Sequence, residues 1–66
     1  MKPHRYTVVL LKENGIFRAF CPAFPGCRAF GDTRREAVRN IEISVTHRLE
    51  VLKEKGIPAP RDEERM

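Results

Sequence analysis

Asn14-Gly15 sits between two runs of strand-forming residues, and no other feature constrains the fold of this chain so strongly. From Arg5 to Lys12 the chain offers Tyr6, Thr7, Val8, Val9, Leu10 and Leu11, and Ile16 to Cys21 (IFRAFC) follows the dipeptide. Such aromatic, β-branched and aliphatic residues suit a pleated sheet, and Asn-Gly favours the positive backbone angles of a two-residue hairpin turn. The two runs are therefore expected to pair as antiparallel strands. Alternation puts Ile16 and Phe20 on one face, and Phe17, Ala19 and Cys21 on the other. In the first strand Tyr6, Val8 and Leu10 point one way, Val9 and Leu11 the other.

Pro22, Pro25 and Gly26 interrupt the ladder, because proline lacks an amide hydrogen and glycine accommodates tight turns. The residues CRAFG (27–31) then resume as a short third strand. A helix follows, since Thr33 and Glu36 form the S/T-x-x-E pattern in which side chains cap free amides at a helix start. Steps of 100° place Ala37, Val38, Ile41, Val45, Leu49 and Leu52 on one arc. Arg35, Arg39, Glu42, Thr46, Glu50 and Lys53 lie opposite. Gly56 is the natural stop, and the prolines of IPAP (57–60) suit an edge strand or a strapped-down tail. The expected architecture is α+β in the order β-β-β-α-β: a three-stranded antiparallel sheet, one long helix packed on one face, and room for a short fourth strand. One domain spans 1–66, with an ordered core of about 4–59 and a frayed tail at 60–66.

Sixty-six residues support a single thin core, for a chain of this size buries only about 60% of the surface it exposes when unfolded. No apolar run approaches the roughly 20 residues needed to cross a bilayer, and the N-terminus lacks a small-residue cleavage site, so a cytoplasmic protein is expected. The net charge of +4 biases encounters toward nucleic acid or an acidic protein face. The basic residues are scattered from Lys2 to Arg65, the pattern of a solvated surface rather than a binding stripe.

Five residues separate Cys21 from Cys27, whereas structural zinc sites place two to four between paired cysteines and require two further ligands. His4 and His47 have no paired spacing of their own. Neither cysteine has a histidine near it in sequence to act as a base, and the strand residues from His4 to Cys21 hold a single acid, Glu13. Gly26 and Gly31 form no phosphate loop. The chain is thus expected not to be an enzyme and to need neither metal nor cofactor. Phe17, Phe20, Phe24 and Phe30 near Arg18 and Arg28 are compatible with a single-stranded nucleic-acid platform, but core phenylalanines with arginines on the opposite pleat face are the simpler reading at this size.

The segments Tyr6-Thr7-Val8-Val9-Leu10, Cys21-Pro22-Ala23-Phe24-Pro25-Gly26-Cys27, and Gly31-Asp32-Thr33 with Glu36-Ala37 together resemble the HicB-like antitoxin family, as does Gly56-Ile57-Pro58. The resemblance implies a reduced ribonuclease-H-like fold without that enzyme's catalysis. It also implies a protein-binding role: antitoxin of a small HicA-type toxin that cleaves messenger RNA, or a stand-alone relative. Many members of the family carry a C-terminal DNA-reading unit; with ten residues after Gly56, none is expected in this sequence. The helix also departs from the family by carrying Ile43, His47 and Arg48. A small basic nucleic-acid-binding module remains the alternative.

Pro22, Phe24, Pro25 and Arg28 are the candidate partner-binding residues, because loops on a rigid scaffold carry binding. Both faces of the sheet are apolar at its centre and a single helix covers only one, so self-association as a homodimer or higher assembly is expected. Val9 and Leu11 are its candidate contacts, extended by Ile43 and Val51, which fall off the main helical stripe.

Overall fold

The computed structural model of the chain describes residues 6–60. Three strands, β1 (Val9–Glu13), β2 (Ile16–Cys21) and β3 (Phe24–Gly31), precede one helix, α1 (Arg34–Glu54), in the expected α+β arrangement. The sheet is antiparallel in the order β1-β2-β3, so β1 and β3 are both edges. Asn14 and Gly15 have φ of 50° and 79°, the two left-handed residues of a hairpin turn whose twist matches the strands it joins.

The first strand begins later than expected. Val9 pairs with Phe20, so Val8 and Thr7 lie level with Cys21 and Pro22, where β2 ends and proline can donate nothing to a ladder. Tyr6 and Val8 still pack against the core. The third strand begins earlier, at Phe24 rather than Cys27. Phe20 pairs with Arg28 but Cys21 pairs with Phe24, so Pro22-Ala23 makes a tight turn and Pro25, Gly26 and Cys27 bulge out of the ladder. Proline is tolerated there because β3 is an edge strand whose outer amides have no partner to lose.

The helix starts as its pattern requires. Thr33 Oγ1 accepts from the Glu36 amide at 3.1 Å, and Glu36 Oε1 accepts from the Asp32 amide at 2.8 Å, one residue before the cap. At the other end Gly56 adopts φ 71°, and the amides of Gly56 and Ile57 donate to Lys53 and Leu52. This pair of bonds is a Schellman motif, and glycine fills its left-handed position without a Cβ penalty. Residues 57–60 are not a strand but a tail strapped to the body, with the Tyr6 hydroxyl donating to the Pro60 carbonyl at 2.7 Å. Pro60, expected to be frayed, is thus anchored; the expectations for residues 4–5 and 61–66 lie outside the described residues.

The core lies between the sheet and α1. Ala37, Ile41 and Val45 are buried against Ala19, Cys21, Ala23, Phe24 and Cys27, with Leu10, Phe17, Leu49 and Leu52 packed around them. No buried residue among those described is polar or charged. Phe24 meets Tyr6 edge-on, with ring centroids 4.9 Å apart. Gly31 permits the close approach of α1 to β3: a Cβ there would stand 2.5 Å from the Ala37 amide nitrogen. Asn40 secures the same junction by donating to the Phe30 carbonyl at 2.8 Å.

Candidate binding surfaces

Two surfaces offer themselves to a partner, and each follows from the way the sheet is built. The first forms at the bulge. Pro25 and Gly26 are exposed on the edge of β3, and a Cβ on Gly26 would lie 3.4 Å from a guanidinium nitrogen of Arg48, so the arginine lies against the bulge. Pro25, Gly26, Arg48, Leu52, Ile57 and Pro58 line a shallow groove of about 310 Å³ there. Its walls come from the bulge, the C-terminal half of α1 and the strapped tail. Of the residues expected to bind, Pro25 and Arg28 are exposed and Pro22 is half-buried, whereas Phe24 is buried in the core and offers a partner little surface.

The second surface is the face of the sheet turned away from α1. Cross-strand register sets Val9, Phe20 and Arg28 in one row, Leu11, Arg18 and Phe30 in the next, and Glu13 and Ile16 in a third. Leu11, Ile16 and Phe30 are 40%, 44% and 55% exposed. The four phenylalanines therefore divide: Phe17 and Phe24 belong to the core, while Phe20 and Phe30 share the open face with both arginines. Glu13 Oε2 lies 3.5 Å from Arg18 Nη2, and Arg18 Nε is shielded from solvent without a partner. Val9 and Leu11 are on this face. Ile43, 61% exposed, lies on the helix among Arg39, Glu42, Thr46, His47 and Glu50, so the thickness of the domain separates it from them. Val51 is half-buried.

The described residues bring no three His, Cys, Asp or Glu side chains together where they could hold a metal ion. Cys21 and Cys27 are buried and not joined in a disulfide, and the Cys27 sulfur lies 4.0 Å from the Ser44 carbonyl. They act as small core residues at the end of β2 and in the bulge. The acids among the described residues, Glu13, Asp32, Glu36, Glu42, Glu50 and Glu54, are all exposed, and no helix among those residues is long and apolar enough to cross a membrane.

Over 61 residues the chain is 39% identical to UPF0150 protein ssr1765 of Synechocystis sp., in a match covering 91% of this chain and 77% of that protein. The chain belongs to the UPF0150 family. UPF0150 protein Ta0767 of Thermoplasma acidophilum is likewise 39% identical over 59 residues, covering 88% of this chain and 86% of its own. Matches of that length take in all three strands and α1, so the UPF0150 likeness spans both candidate surfaces. No family model and no solved structure matches the chain significantly.

Proposed function

We propose that this UPF0150 chain is a non-catalytic protein-binding domain of the HicB-like antitoxin type, whose partner is a small HicA-type protein that cleaves messenger RNA. The observation that carries this reading is the surface at the bulge, where Pro25 and Gly26 stand exposed beside Arg48 and a largely apolar groove. A firmly held bulge on an edge strand suits protein recognition: the core below it is fixed, and the rim above is free to meet another chain. The resemblance of Cys21–Cys27 and Gly31–Glu36 to HicB-like domains supports the same reading.

A gene for a small HicA-type protein beside the gene for this chain, and co-expression of the two, test the proposal. A complex should survive purification, and Pro25→Arg should weaken it by about tenfold or more while leaving the helix signal unchanged, because a charge there disrupts apolar contact at the rim. Failure of the folded chain to bind that protein would reject the reading.

A second reading, a small basic nucleic-acid module, draws on Phe20 and Phe30 sharing a face with Arg18 and Arg28. Affinity for single-stranded RNA that falls steeply with salt would support it. Against it, Val9, Leu11 and Ile16 on the same face cannot stack on bases, and Glu13 repels phosphate.

A further inference from the structure

We infer that the open sheet face is the contact of a two-fold homodimer in which Glu13 of each copy pairs with Arg28 of the other. The inference does not depend on the proposed antitoxin role. It starts from where the charges lie. Register places Glu13 at one corner of the face and Arg28 at the diagonally opposite corner, with Val9, Leu11, Ile16, Phe20 and Phe30 between and around them. One face thus carries both signs, separated by apolar surface, and is complementary to itself.

A two-fold axis lying between two such faces, along the diagonal that starts at Val9, exchanges the positions on either side of it. Glu13 then falls opposite the partner's Arg28, and by symmetry the pair occurs twice. Leu11 falls opposite the partner's Phe20, and Ile16 opposite the partner's Phe30. Strands lie about 4.8 Å apart and same-face residues along a strand about 6.7 Å apart, so these positions coincide to within a few ångströms, well inside side-chain reach. The strands of the two sheets cross near a right angle, one of the two standard ways in which sheets stack.

Arg18 lies on that diagonal and would meet its own copy. Its guanidinium already turns toward Glu13, with Nη2 3.5 Å from Oε2, which carries the charge away from the axis to the corner where the partner's Arg28 arrives. Glu13 would then hold two guanidinium groups. The contact also covers the three exposed apolar side chains of the sheet, Leu11, Ile16 and Phe30, in a domain whose own core is thin. An RNA strand would gain from Arg28 but would have to approach Glu13 and three aliphatic residues, so a second copy fits the face better.

Sedimentation equilibrium of the full chain at micromolar concentration, with Glu13→Arg, Arg28→Glu and the double variant, tests this. The wild-type chain of 7.7 kDa should sediment as a two-chain species. Each single reversal acts twice through the symmetry and replaces attraction by repulsion, so each should weaken association about tenfold or more. The double variant should return to within about threefold of wild type, because reversing both signs rebuilds the pair. Helical circular dichroism monitors the fold, and both side chains are exposed. A single 7.7 kDa species at all concentrations would overturn the inference. A double variant as weak as the two singles combined would do the same. So would a wild-type monomer whose RNA affinity rises in Glu13→Arg and falls in Arg28→Glu, which would assign the face to nucleic acid.

Discussion

Gly31→Ala is expected to destabilise this domain by about 3 kcal/mol, the upper part of the usual range for forcing a methyl group into a packed site. The added Cβ would stand 2.5 Å from the Ala37 nitrogen, 2.8 Å from the Glu36 Cβ and 2.9 Å from the Glu36 carbonyl carbon. Two of these three atoms are helix backbone, so relief requires moving the first turn of α1 off β3. Such a shift would also disturb the Thr33 and Glu36 cap and the bond from Asn40 to the Phe30 carbonyl. Domains of this length are stable by only about 3 to 10 kcal/mol, so the variant should be largely unfolded or lose most of its urea midpoint. Gly15→Ala provides the contrast: its φ of 79° makes alanine unfavourable, but nothing lies within 4 Å, so a cost of about 1 kcal/mol is expected. Urea titrations of the two variants that shift by equal amounts would show that close approach is not what Gly31 provides.

Ile41→Ala should cost about 2 to 5 kcal/mol, the measured range for truncating a buried aliphatic side chain. Ile41 is fully buried at the centre of the helix stripe, between Ala37 and Val45, in one core cluster with Ala19, Cys21, Ala23, Phe24 and Cys27. The core facing α1 sits on a sheet held by its ladders, so the cavity has little means of collapsing. Ile43→Ala removes the same atoms two residues away, from a side chain that is 61% exposed, and should change stability by less than about 0.5 kcal/mol. Thermal unfolding of the pair measures the difference directly. Similar losses in both would mean that α1 packs on the sheet through a different face.

What the chain makes plain without its structure is local. Asn14-Gly15 states its turn, Thr33 and Glu36 state the helix start, and Gly56 states the stop, because each acts on backbone within a few residues of itself. The helix stripe is equally legible: Ala37, Ile41 and Val45 are the buried residues of α1, and Leu49 and Leu52 flank them. The early start of β3 was not legible. Pro25-Gly26 breaks a central strand but only bulges an edge strand, and which strand is an edge depends on the whole sheet. The division of the phenylalanines depends on register in the same way. Phe24 reads as a loop residue, but the Cys21 to Phe24 pairing turns it inward against Tyr6. The Arg48 contact with Gly26 and the Tyr6 bond to Pro60 join residues far apart in the chain, and no spacing rule announces them.

These features leave a domain whose described interior is apolar packing between the sheet and α1. The decisive measurement is cleavage of messenger RNA by a HicA-type protein, followed as the purified chain is added. For a HicB-like antitoxin, cleavage should fall in proportion to the chain added and vanish near one chain per toxin. Cleavage that continues undiminished in the presence of excess folded chain would contradict that role.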